Sequence, residues 1–201
     1  MQVDLRAVEG ALEEALKLND IPYELAAGEG AFYGPKIDLH MEDALGRKWQ
    51  MGTIQLDSQM PSRFGLTYVG PDNREHPLYV VHRALYGSFE RFIGILVEHY
   101  GGAFPFWLAP VQLRVIPVGE DHRGAAHALA ERLDDYRVEV DERDETVGKR
   151  IRDAEVEKIP YVIVYGDKES DDALAVRRHR GDQSTLSLER LRTDLAEVAT
   201  L

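Results

Sequence analysis

The chain has no cysteine among its 201 residues. Disulfides, thiolate metal sites and a cysteine nucleophile are thereby excluded, and the composition suits a cytoplasmic protein. It lacks any run of about 18 apolar residues, so no membrane span is expected. Its first segment, MQVDLRAVEGALEEALKLND, has no basic stretch leading into an apolar one and is not expected to act as a signal peptide. There are no internal repeats and no low-complexity tract. Familiar catalytic signatures are missing as well. There is no Walker loop, no Gly-x-Ser-x-Gly elbow and no His-Glu-x-x-His pair among the seven histidines. GEGAFYG at 28–34 is not followed by a helical pattern, so it is not a dinucleotide fingerprint.

Positive charge is also scarce. Lys and Arg number 24 against 36 Asp and Glu, a formal net charge of −12. Proteins that hold nucleic-acid phosphates are usually basic, so composition argues mildly against an RNA partner. Two local clusters soften this: Lys149, Arg150 and Arg152, and Arg177, Arg178, His179 and Arg180. Each reads either as a solvated basic face or as a contact surface. The hydrophobic fraction of 44% is enough for a packed core, and the length fits one large or two small domains.

The pattern along the chain changes midway. Leu5, Val8, Leu12 and Leu16 recur at helical spacing, which predicts an amphipathic helix over 3–19, ended by Asn19, Asp20 and Pro22. Ile37, Leu39 and Met41 alternate with Asp38, His40 and Glu42, a strand with one wet face. The turn at 43–47 and a return strand at 48–57 make an antiparallel sheet rather than a βαβ unit. Residues 77–82 read as a further strand. A helix follows, with Leu85, Phe89, Phe92, Ile93, Leu96 and Tyr100 as its apolar stripe. The opposite stripe, Ala84, Gly87, Ser88, Arg91, Gly94 and Ile95, is small residues around one arginine. It reads either as tight packing with a surface arginine or as a cation placed for a ligand. His82, with no second ligand nearby in sequence, reads more readily as a core histidine than as a metal ligand.

Gly101, Gly102, Pro105 and Pro110 mark a linker. Beyond it come strand 112–118, helix 122–135, strand 136–141, helix 146–157, strands 160–165 and 174–179, and helix 188–199. This βαβαββα order predicts a small α/β domain with a mixed, mostly parallel sheet.

GAFYGPKID (30–38), GTIQLD (52–57), PSRFGLTYVG (61–70) and VHRALYGSFERFIGILVEHYGG (81–102), in this order and spacing, resemble the end of the catalytic domain of the threonyl-tRNA synthetase family. The last resembles motif 3 of class II synthetases, keeping its Gly-x-x-Glu-Arg end. FPFWLAPVQ resembles the family's junction with its anticodon-binding domain, and GDKE (166–169) and AVRRHRG (175–181) resemble later parts of that domain. The resemblance implies residues 1–104 as the C-terminal part of an antiparallel-sheet catalytic domain and 105–201 as the anticodon-binding domain. It implies ATP-dependent attachment of threonine to its tRNA, with Mg²⁺, in a homodimeric parent enzyme.

The implied roles fall on particular residues. Arg91 matches the motif 3 arginine that holds ATP. Gln55 matches a nucleotide-contacting glutamine, Ser88 lines the same place, and Tyr33 and Lys36 match active-site residues beside the aminoacyl group. His82 matches one of three zinc ligands, and Asp144, Glu169 and Arg177 match positions facing the anticodon. Motifs 1 and 2 and the other two zinc ligands have no counterpart in this chain, so it is expected to be inactive alone. Two alternatives stand beside a piece of the ligase: a freestanding anticodon-loop RNA-binding module, and an α/β ligand-binding protein with no RNA role.

Overall fold

A computed structural model describes residues 5–200, with side chains from Arg6 on. The first two residues of the helix expected over 3–19 lie outside it; the described helix, α1, runs Leu5–Leu18 and buries Val8. It ends where the sequence says it should. Asp20 takes a left-handed φ of 52°, and the amide of Ile21 returns to the carbonyl of Leu16, closing the last turn.

A three-stranded antiparallel sheet follows: β1 (Lys36–Glu42), β2 (Lys48–Asp57) and β5 (Val80–Ala84), in the order β1-β2-β5. The β1–β2 turn is held by Asp43, whose Oδ1 accepts from the amides of Leu45 and Arg47 and whose Oδ2 accepts from Trp49 Nε1 at 2.7 Å. Gly46 supplies the positive φ of 78°. Between β2 and β5 lie a short helix, α2 (Gln59–Arg63), and a hairpin of β3 (Thr67–Val69) and β4 (Glu75–Pro77), neither foreseen from sequence. The strand expected at 77–82 is therefore displaced, because Pro77 closes the hairpin and the pairing strand starts at Val80.

The following helix, α3 (Phe89–Tyr100), begins later than its apolar periodicity suggests. Ala84 belongs to β5, and Gly87 has a φ of 68° that no helix admits, so neither lies on a helix face. Its stripe is not a core either. No residue of α3 is buried, and Phe89 is 84% exposed.

The second half is better enclosed. Its strands are β6 (Leu113–Pro117), β7 (Val138–Val140), β8 (Tyr161–Tyr165), β9 (Leu174–Arg178) and β10 (Gln183–Leu186). They form one sheet in the order β10-β9-β8-β6-β7. β6 runs parallel to β7 and β8, whereas β8–β9 and β9–β10 are antiparallel, so the sheet is mixed rather than mostly parallel. β10 is an addition to the expected order; only four polar-rich residues, QSTL, carry it. The helices are α4 (Arg123–Glu131), α5 (Val147–Val156) and α6 (Leu188–Ala199), with a single 3₁₀ turn at Glu120–His122. Thr146 and Ser187 cap α5 and α6 with their hydroxyls.

Strand alternation assigns the helices to faces. Leu113 and Val115, Tyr161 and Ile163, and Leu174 and Val176 pack with Ala126 and Leu129 of α4 and Leu191 and Leu195 of α6. Ile116 and Val162 point the other way and pack with Ala154 of α5. Two helices thus cover one face of five strands and one helix covers the other, leaving the β9–β10 side of the α5 face open.

Two compact units result, divided between Glu98 and His99, within the last turn of α3. No helix among the described residues is long and apolar enough to cross a membrane.

Candidate functional site

Antiparallel register places directly opposed residues on one face of a sheet. Lys36 opposes Gln55, and Gln55 opposes His82, so three of the expected site residues stand in a row across β1, β2 and β5. Two residues along, Asp38 opposes Thr53. Residues of like parity, including Asp57, share this polar face, while Ile37, Ile54 and Val81 take the other.

Hydrogen bonds tie the face together. Tyr33 Oη donates to Gln55 Oε1 at 2.9 Å, and the Tyr33 ring meets the His82 ring edge-on at 6.1 Å. Tyr33 is brought there by the loop before β1, where Gly34 packs so closely that a Cβ would run into the Leu56 carbonyl. Lys36 pairs with Asp38 Oδ2. Asp38 Oδ1 accepts from Gln50 Nε2 at 2.6 Å and Thr53 Oγ1 at 2.8 Å. Burial pushes the Asp38 carboxyl up, but Lys36, Thr53 and Gln50 together outweigh it and hold it below its usual range. The sequence singles out none of Asp38, Gln50 and Thr53 as site residues. For Asp38 a signal exists, since alternation alone puts it on the wet face of β1.

Arg91 joins this face through its edge. Its Nη1 donates to the backbone carbonyl of Gln50, whose side chain reaches Asp38. Gly87 lies in the crossing, where a Cβ would sit 3.3 Å from the Gln50 carbonyl. Ser88 does not line a helix face with Arg91. It precedes the helix, and its Oγ accepts from the Arg91 amide at 3.2 Å. His82 is not a core histidine: its side chain is 51% exposed.

The three-ligand zinc site is not assembled here. Among the described residues no group of three or more His, Asp or Glu is placed to hold a metal ion. The acid beside His82 is Asp57, already engaged by two backbone amides. These residues alone do not fit zinc.

The second candidate region is the open side of the α5 face. A groove there is lined by Gly148, Ile151, Arg152 and Glu155 of α5 and by Arg177, His179, Arg180 and Gln183 around the β9–β10 turn. Arg177 is exposed, and among the described residues its guanidinium has no hydrogen-bond or ion-pair partner; the same holds for Arg152. Arg178 also lines this groove, but its guanidinium turns to the opposite face, bonded to Asp194 at 3.1 Å and lying over Tyr161. Glu169 and Asp144 stand beyond the carboxyl ends of β8 and β7. Glu169 Oε2 accepts from the Gly166 amide at 2.9 Å, and Asp144 is exposed without a partner among the described residues. Arg177 pairs with Val162 near the start of β8, so it stands apart from Glu169 along the sheet.

One basic cluster departs from the expected solvated face. Arg150 is buried, with Nη1 on the Asp141 carbonyl at 2.7 Å and Nη2 on the Pro117 carbonyl at 2.8 Å. It anchors the ends of β6 and β7 beneath α5.

Comparison with known proteins agrees with both halves. Residues 5–100 match the family described as tRNA synthetase class II core domain (G, H, P, S and T). Residues 112–197 match the family described as anticodon binding domain. A threonine--tRNA ligase of Caldanaerobacter subterraneus is 52% identical over 195 residues, covering 94% of this chain and 30% of that protein. One from Thermotoga neapolitana is 53% identical over 176 residues, covering 86% of this chain and 28% of that protein. A crystal structure of the RNA binding domain of threonyl-tRNA synthetase from Cryptosporidium parvum has a TM-score of 0.84 at 35% identity, over 96% of this chain and 50% of that one. The chain thus spans under a third of the curated relatives' length, and within that span it belongs to the threonyl-tRNA synthetase family, as class II core followed by anticodon-binding domain.

Proposed function

We propose that this chain serves the ATP-dependent attachment of threonine to its tRNA, in the cytoplasm and within a homodimeric enzyme. In this reading residues 1–104 belong to the catalytic domain and 105–201 read the anticodon. The observation that carries the catalytic half is the single polar face joining Tyr33, Lys36, Gln55 and His82, with Arg91 at its edge. Gln55 and Arg91 would hold ATP, with Ser88 fixing the start of the helix that carries Arg91. Mg²⁺ accompanies the nucleotide. Tyr33 would contact the amino acid. Lys36, half-buried against Asp38, would place its cation beside the reacting phosphate and carboxylate. A polar face prearranged by hydrogen bonds suits adenylate formation, where positioning and charge stabilisation do most of the catalysis.

A chimera tests this. The matching segment of the Thermotoga neapolitana enzyme is replaced by this chain, and ATP–pyrophosphate exchange with threonine is measured. The chimera should be active, and Arg91→Ala should lower kcat about 10²–10³-fold, the range for removing a charge-stabilising donor. A folded chimera with full activity after Arg91→Ala removes Arg91 from the site.

The freestanding RNA-binding reading is favoured by one observation: both buried apolar clusters lie in the second unit. RNA contact in either reading rests on the groove, where Arg152 and Arg177 offer unpaired donors to single-stranded bases or phosphates. Acidic Asp144 and Glu169 would accept from base amino groups and penalise wrong bases.

A further inference from the structure

No residue of α3 is buried, and Phe92, Ile95 and Leu96 are only half-buried, so burial alone does not fix the line along which this helix, and with it Arg91, lies. Two polar ties do. Near the start of the helix, Arg91 Nη1 donates to the Gln50 carbonyl. Toward its end, Glu98 accepts from Arg47 Nη2 through both oxygens, at 3.2 and 2.9 Å. Arg91 and Glu98 stand about two turns apart, hence on one face, and about 10 Å apart along the axis. Arg47 and Gln50 are about 10 Å apart along an extended chain. The two spacings match with the directions reversed, so α3 is laid antiparallel to the start of β2 and held at both ends.

Arg47 is prepared for this. Asp43, which closes the β1–β2 turn, accepts from Arg47 Nε, and the guanidinium lies 5.6 Å from the centre of the Trp49 ring. A long side chain already held on two sides loses little further freedom on meeting a carboxylate. The Glu98 side chain is 31% exposed and that of Arg47 is 53% exposed, and an ion pair so open to water adds little to stability. What it contributes is direction. A helix tied only at Arg91 can swing about that point, and a second tie two turns on prevents it.

We infer that Glu98 is a positioning residue: acting through α3, it holds the Arg91 guanidinium against the Gln50 carbonyl at the edge of the polar face. Its part in the reaction rests on the function proposed above, whereas the placement of Arg91 does not.

Glu98 is the residue to change, because Arg47 also serves the turn. Glu98→Lys sets a cation against Arg47, and Glu98→Ala removes the tie without repulsion. In NMR spectra of the 201-residue chain, the Gln50 carbonyl ¹³C and Met51 amide resonances report the Arg91 bond, and Arg91→Ala gives their positions when that bond is absent. Both Glu98 variants should move the two resonances toward the Arg91→Ala positions, while the Trp49 indole N–H, bonded to Asp43, stays in place. Wild-type positions for both resonances in a folded variant overturn the inference, and Glu98→Ala carries this arm where Glu98→Lys does not fold. In the chimera, Glu98→Lys should lower kcat/KM for ATP about 3- to 30-fold, part of the roughly 10²-fold that a misplacement of about 1 Å costs, and should add nothing to Arg91→Ala. An equal loss in both backgrounds overturns action through Arg91. An inactive chimera counts against the proposed function, and the NMR spectra then still decide the placement of Arg91.

Discussion

Arg177→Ala isolates the groove from the fold. Arg177 is exposed on the part of the α5 face that α5 leaves open, with no side-chain partner among the described residues. Removing it strands no buried group, so folding stability should change by less than about 0.5 kcal/mol. Binding should change more. A guanidinium reading a base edge contributes roughly 1–3 kcal/mol, or about 5- to 140-fold at about 1.4 kcal/mol per factor of ten. A guanidinium on a phosphate weakens all sequences alike and lowers the salt slope by about one contact's worth. Arg178→Ala is the internal control, one residue on, with its guanidinium on the other face. Its guanidinium bonds Asp194 at 3.1 Å and lies over the Tyr161 ring, so its loss should fall on stability rather than on RNA. The assay is fluorescence anisotropy of labelled anticodon stem-loops, matched and altered, titrated with the chain over a salt series, alongside thermal melts. Wild-type affinity for Arg177→Ala at every salt concentration, or an equal loss for Arg178→Ala, would refute the assignment of the groove to RNA.

Glu169→Gln keeps an oxygen for the Gly166 amide but removes the charge, and should change the affinity ratio between anticodons more than the affinity for any one; an unchanged ratio in the same titration removes Glu169 from reading. Arg150→Met strands the carbonyls of Asp141 and Pro117, two bonds from a charged donor at about 1.5–3 kcal/mol each, so denaturant unfolding should show a loss of roughly 3–6 kcal/mol; a loss under about 1 kcal/mol contradicts the anchoring role. Arg143 beside Asp141 holds that buried carboxyl below its usual range, against the opposing effect of burial. Its folded pKa is therefore depressed, so its contribution is present above the unfolded value of about 3.9 and is lost as pH falls through the folded one. Asp141→Asn should flatten that acid limb in denaturation midpoints measured against pH, and an unaltered limb would be the wrong outcome. Residues 104–201 should unfold cooperatively on their own. A truncation starting at 110 loses Phe106 from the core and the carbonyls of Trp107 and Ala109 that hold Arg137, and should be less stable by about 3–5 kcal/mol in the same denaturant series; equal stability would show that this segment does not belong to the core.

What the sequence determined by itself was whatever depends on neighbours a few residues apart. Alternation at 36–42 and 48–57 fixed a two-stranded turn and its wet face, and the helical patterns at 146–157 and 188–199 fixed α5 and α6. The motif residues carried the family, and with it the expectation that Tyr33, Lys36, Gln55, His82 and Arg91 serve its site. Tertiary structure decided what depends on register and on facing. Only pairing across three strands shows that Lys36, Gln55 and His82 form one row, and that Asp57 stands behind His82. Only the placement of helices on each face of the second sheet shows why the groove opens beside Arg177 while the guanidinium of Arg178, its neighbour, turns away. Arg150 and the α3 stripe were illegible for the same reason. A basic residue in a charged run and an apolar stripe on a helix state a preference, and whether that preference ends in burial is set by what the fold places opposite. Two backbone carbonyls meet Arg150 there, and no buried partner among the described residues meets the apolar side chains of α3.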